Sequence, residues 1–311
     1  MFVPIMGRAG TSPLPPDVMM ALATAALALT LCGWLQGLVV AARRPHRLAL
    51  AALALGAAAL AGVALGAGGP GAAYSAERPQ RVMVFHTRRT LHAPGRAPRA
   101  ELLYWIPELD ANTPHSLRHH LAGAEAARAP DAAACARALY CGAPYYLPVL
   151  SLVARGHELP AAAAPPPAAA ATLHAAVRLS RHNDTVQMLH LNLTGPNHIV
   201  AIVSPAAGAR LGALPALGGR PQRGPRWRDH RGALRETYFF ALHDARRPRP
   251  WLLDLPIEHS FATPPAQWAA LSLAGHALAA PRARALAELL AALPAWTAPT
   301  GWAVDLHLYT V

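Results

Sequence analysis

Apolar residues are arranged in two different ways along this chain. Residues 18–42 form a run of 25 positions with no formal charge, and residues 48–67 form a second run of 20. About 20 residues of helix cross a hydrocarbon core. The pattern therefore predicts a two-helix transmembrane hairpin over residues 18–67, turned by Arg43-Arg44-Pro45-His46-Arg47 and preceded by an N-terminal tail, 1–17. A cleaved signal peptide is the competing reading of the first run, which lacks a basic leader and is long for a signal core. Gly33 with Gly37, and Gly62 with Gly66, are small-residue pairs of the kind that lets membrane helices approach closely.

Beyond the small, flexible linker 68–76 the apolar period shortens to that of strands. Leu189, Leu191 and Leu193 share one face of a run over 186–193. Further runs begin at Val82 and cover 102–106, 198–203, 237–242, 251–255, 268–273 and 304–309. Short strands split by Pro and Gly turns predict a mainly β fold, a β-sandwich over residues 77–311. One helix is expected to pack on it. Pro281 opens that helix, Leu286, Leu289, Leu290 and Leu293 share a face, and Pro294 stops it. Residues 160–171 are Ala and Pro only, which predicts an exposed loop.

Composition narrows the function classes. A chain that is 53% hydrophobic, with mean hydropathy +0.22, is too apolar to be disordered. All 28 basic residues are Arg, beside an excess of Ala and Pro, so the net charge of +12 reads as compositional bias and indicates no nucleic-acid partner. The Arg-rich stretch 220–231 around Trp227 reads as a solvated loop.

Short basic loops stay cytoplasmic, so the turn at 43–47 directs the chain after Gly68 to the lumenal or extracellular side. There Cys135 and Cys141 read as a disulfide, with two free thiols as the alternative. Asn183-Asp184-Thr185 and Asn192-Leu193-Thr194 are N-glycosylation sequons that agree with this side.

The sequence shows no catalytic constellation. His115 and His119 are one helical turn apart, with His120 beside them, but no acidic residue stands at matching spacing and zinc needs more ligands. His182-Asn183-Asp184 has the short His-x-Asp form of two-metal peptidases, yet Asn183 opens a sequon and no Glu-Glu pair supplies a base. No nucleophile elbow, phosphate loop or His-Glu-x-x-His occurs. Tyr145, Tyr146, Trp227 and Trp268 are candidates for a glycan- or protein-binding surface, with core packing the favoured reading.

Four passages carry a family likeness: RPQRVMVFHTRRTLH (78–92), CGAPYYLPV (141–149), LNLTGPNHI (191–199) and LPAWTAPTGWAVDLHLYTV (293–311). The region they span resembles the C-terminal lumenal domain of the endoplasmic reticulum metallopeptidase 1 family, membrane-bound zinc peptidases of the M28 class. The resemblance implies an endoplasmic reticulum membrane location, partners in membrane lipid and in the peptidase domain or other transmembrane helices, and a paired Cys135 and Cys141. The peptidase domain that holds the zinc in such proteins has no counterpart among these passages, so the expected role is a non-catalytic, structural or accessory one, with no cofactor in this chain. A stand-alone lumenal binding module is the alternative.

Overall fold

The computed structural model describes residues 16–33, 41, 45–66, 74–109, 112–121, 123–146, 153, 155–161, 172–214, 218–243 and 250–311. By internal contacts the chain divides into two units, residues 1–80 with 149–151, and residues 81–148 with 152–311.

The first unit holds helices α1 (Pro16–Cys32) and α2 (Pro45–Gly66). Among the described residues no helix is long and apolar enough to cross a membrane, so the structure does not supply the two spanning helices that the sequence pattern predicts. With 17 residues, α1 is about 25 Å long at 1.5 Å per residue, short of a core about 30 Å thick. The side chains of α2 are described mainly over residues 50–59. Gly37, Arg43, Arg44 and most of the linker 68–76 lie outside the described residues.

The second unit is built of antiparallel strands. They are β1 (Gln80–His92), β2 (Arg99–Pro107), β3 (Gly156–Pro160), β4 (His174–Arg181), β5 (Val186–Thr194), β6 (His198–Pro205), β7 (Arg210–Leu211), β8 (Trp227–Arg228), β9 (Leu234–Arg235), β10 (Tyr238–His243), β11 (Trp251–Glu258), β12 (Ala269–Ala277) and β13 (Thr297–Thr310). A seven-stranded sheet has the order β10-β6-β12-β13-β1-β2-β3, a four-stranded sheet the order β4-β5-β11-β7, and β8 with β9 makes a short ribbon.

Two-residue periodicity explains the layering. Leu189, Leu191 and Leu193 of β5 and Leu255 and Ile257 of β11 turn inward against Ile199, Ala201 and Val203 of β6 and Leu271 and Leu273 of β12. This is the sandwich core. The half of the large sheet that the small sheet does not cover is closed by α4 (Arg284–Ala291), whose Leu286 and Leu290 pack with Val82, Val84, Tyr104 and Ile106. The helix is shorter than expected at both ends, with Ala283, which offers no side-chain hydrogen bond, at its N-cap and Ala292 at its C-cap.

The other face of the large sheet is also buried. Phe85, Trp105, Ala274, Val304 and Leu306 lie there beneath Ala143 and Tyr146. A strand buried on both faces reads as a continuous apolar run, as His198–Pro205 does. Of the expected Ala/Pro loop, residues 162–171 lie outside the described residues.

Candidate functional site

The cover on the second sheet face is a short, tightly tied segment. Helix α3 (Ala132–Arg137) is capped by Asp131, whose Oδ1 accepts from the Ala134 amide at 2.6 Å. A disulfide joins Cys135 to Cys141. Closing so short a loop turns the backbone sharply, and Tyr140 and Cys141 adopt left-handed φ values of 51° and 58°. Three side chains from the sandwich hold the loop down. Trp227 Nε1 donates to the Cys135 carbonyl at 2.7 Å, Arg89 Nη1 donates to the Gly142 carbonyl at 3.2 Å, and the Tyr140 and Thr237 hydroxyls lie 3.4 Å apart. Arg89 is itself fixed by Glu101 at 2.6 Å and Glu158 at 2.5 Å.

A row of three imidazoles runs under this cover from an exposed end at His243. His243 of β10, His198 of β6 and His276 of β12 are directly opposite one another across three adjacent strands. His198 stacks on His243 with centroids 4.2 Å apart and lies 4.9 Å from His276, and the Tyr146 ring stands edge-on to both buried rings. Burial lowers the pKa of His198 to about 4, aided by His243, and that of His276 to about 3, aided by His198. The buried pair is neutral at pH 7. Stacked rings do not aim their lone pairs at a common point, and among the described residues no group of three His, Cys, Asp or Glu side chains is placed to hold a metal ion. The zinc implied by the family likeness therefore finds no donor set in the described residues.

The sequence candidates are dispersed. His115, His119 and His120 are exposed around a short helical turn, with His120 edge-on to Trp296. Tyr145 is buried against Tyr140 and Phe239, and Trp268 packs on His259 and Phe261. Trp227 lies under the Arg235 guanidinium, 5.3 Å from its ring centre. Tyr145 and Tyr146 line one small depression with Phe85 and Trp105, while Trp227 and Trp268 pack elsewhere. Arginines of the Arg-rich loop pair with carboxylates outside it: Arg220 meets Glu258 at 3.0 Å, and Arg226 and Arg223 meet Glu236 at 3.4 and 3.7 Å.

Both sequons are exposed in the small sheet. Asn183 sits in the β4–β5 turn, where its Oδ1 accepts from the Thr185 amide at 2.9 Å and hydroxyl at 3.1 Å. Asn192 lies on the outer face of β5, opposite Ala176 and Leu252. Two residues along the same face is a network that no local sequence motif announces. His190 Nε2 is 2.8 Å from Ser180 Oγ, and His190 Nδ1 is 2.6 Å from Asp254 Oδ1. Its members come from β4, β5 and β11, so only the strand register brings them together.

Comparison with known proteins agrees with this framework. The model of the endoplasmic reticulum metallopeptidase 1 C-terminal domain matches residues 77–309. Endoplasmic reticulum metallopeptidase 1 of Homo sapiens is 25% identical over 324 residues, and that of Rattus norvegicus 25% over 316, each alignment covering 99% of this chain and 33% of the relative. The chain thus spans about one third of the length of these relatives. Among solved structures, the Fcho1 Mu homology domain of Danio rerio with bound Eps15 peptide covers 76% of this chain and 98% of its own at 11% identity, with a TM-score of 0.27, too low to establish a common fold. With its β framework and with 77–309 matched almost end to end, this chain belongs to the endoplasmic reticulum metallopeptidase 1 C-terminal domain family.

Proposed function

We propose that this chain is a membrane-tethered accessory domain of an endoplasmic reticulum metallopeptidase 1-like protein, with the sandwich on the lumenal side. The observation that carries the reading is where the four family-like passages fall. Residues 78–92 form β1, the described part of 141–149 forms the disulfide-tied cover, 191–199 joins β5 to β6, and 293–311 includes β13. All four build the framework, and none contributes to a converging ligand set among the described residues. A domain kept for its framework acts by packing beside the peptidase or by presenting substrate to it.

Tethering and sidedness have their own support. Met19, Leu22, Leu27 and Leu29 of α1 and Leu50, Leu53 and Leu55 of α2 are each more than half exposed. Exposed leucines of that density call for lipid or other membrane helices around them. The disulfide and the two exposed sequons suit an oxidising, glycosylating compartment. In this reading zinc belongs to the peptidase domain, and Asn183 and Asn192 carry glycans.

The test is co-purification. Expressed in cells with a peptidase-bearing chain of the same family, the full chain is expected to co-elute with it in mild detergent and to show no zinc-dependent aminopeptidase activity alone. Zinc-dependent cleavage by this chain alone would overturn the reading.

A further inference from the structure

We propose that Ser180, His190 and Asp254 form a serine-nucleophile site for small carboxylic esters on the outer face of the four-stranded sheet. The proposal goes beyond the accessory role and does not involve the peptidase zinc.

Geometry and hydrogen-bond chemistry fix the roles. Asp254 is directly opposite His190 in the β5–β11 register, while Ser180 is one step diagonal to it on β4. An ionised carboxylate only accepts hydrogen bonds. Its contact at 2.6 Å therefore places the imidazole proton on Nδ1. Nε2 is left as the acceptor, and the Ser180 hydroxyl 2.8 Å away is the donor. This is the tautomer in which an imidazole acts as general base toward a hydroxyl, with a carboxylate holding the ring in place.

The three residues also line one open depression of about 570 Å³, with Arg178, Asn192 and Leu252 among its walls. Arg178 stands directly opposite His190 on β4. Among the residues lining the depression, the positive group available to a developing oxyanion is the Arg178 guanidinium. Leu252, 72% exposed beside Asn192, offers an apolar rest for a short acyl chain.

The chemistry balances with water as co-substrate. Ser180 Oγ bonds to the ester carbonyl carbon as His190 Nε2 takes the hydroxyl proton, and the carbonyl π pair moves to oxygen. Collapse of that adduct breaks the bond to the alkoxy oxygen, which leaves as the alcohol with the proton from Nε2. Water then gives a proton to Nε2 and its oxygen to the acyl carbon. Ser180 Oγ departs with that proton, releasing the carboxylic acid.

The test uses the purified full chain in detergent, beside an N192Q variant that carries no sugar on this face. Both are treated with a fluorophosphonate probe and assayed with 4-nitrophenyl acetate. A phosphonyl adduct on Ser180, mapped by peptide mass spectrometry, is expected in both or in N192Q alone. Loss of the adduct and a fall in hydrolysis of at least about 100-fold are expected in S180A, which removes the nucleophile and with it the general-base step, and D254N lowers the rate in the same direction. An unlabelled Ser180 in both proteins, or S180A hydrolysing the ester as fast as its parent, would overturn the proposal.

Discussion

Arg88 of β1 grips Asp305 of β13 with two hydrogen bonds, Nε to Oδ1 at 2.9 Å and Nη2 to Oδ2 at 2.6 Å. Asp305 also accepts from the Leu173 amide at 2.9 Å, just before β4, so one buried carboxylate links the two sheets. Removing the cation leaves that buried charge with only the Leu173 amide and the His307 ring, 3.2 Å away, which costs roughly 3 kcal/mol. R88M is expected to lose stability on this scale in urea titrations of the full chain in detergent. A loss below about 1 kcal/mol, the typical worth of an exposed pair, would contradict this role.

Acid acts on two sets of groups in sequence. Burial lowers His198 to about 4 and His276 to about 3. The unfolded chain then binds protons that the folded chain refuses, so stability is full above about pH 6.5 and falls as pH drops toward 4. For Asp305, burial alone would raise the carboxyl, but the neighbouring His307 ring at 3.2 Å and the hydrogen bonds from Arg88 and the Leu173 amide outweigh it and hold it at about 2. Its contribution is complete above the unfolded value near 4 and is lost as pH falls through about 2. H276L is expected to shrink the stability lost between pH 7.5 and 4.5 by on the order of 2 kcal/mol, read from denaturation at the two pH values. An unchanged difference would show that the imidazole row does not sense acid.

The disulfide-tied cover is expected to contribute modestly. Its loop is short, with a separation of 6 residues, and closing such a loop is worth about 2 kcal/mol. The C135S/C141S double variant is expected to unfold at lower denaturant by that amount. Trp227 donates to the Cys135 carbonyl, so its fluorescence is expected to shift as well. Identical unfolding midpoints would remove the cover from the list of stabilising features.

A closer packing test is available at Gly156, where a Cβ would run into the Trp105 indole. G156A is expected to lose about 1–3 kcal/mol through overpacking. At Gly219 a Cβ meets nothing within 4 Å, and G219A is expected to stay within about 0.5 kcal/mol. Thermal shifts of the pair decide it, and equal shifts would contradict the packing around Trp105.

The sandwich is legible in sequence where alternation is strong. Leu189, Leu191 and Leu193 predict their own burial, and all three are inside. Strand β4 alternates too, with Ala175, Val177 and Leu179 inward, but an Ala on each face makes its pattern weak until pairing with β5 gives it a place. The second buried face of the large sheet is equally hidden, because its cover comes from the segment around Cys141. His243-His198-His276 and Ser180-His190-Asp254 each unite three strands that are not all neighbours in sequence. Strand register creates them, and register is a tertiary property. The sequons and the cysteines, being local motifs, need no register to be seen.

Sidedness tests the central claim most directly. In sealed microsomes carrying the full chain, protease added outside is expected to leave the 77–311 region as one protected fragment. Endoglycosidase should lower its mass, and N183Q and N192Q should each remove one glycan. Digestion of that region from the outside, with Asn183 and Asn192 both unmodified, would contradict the account.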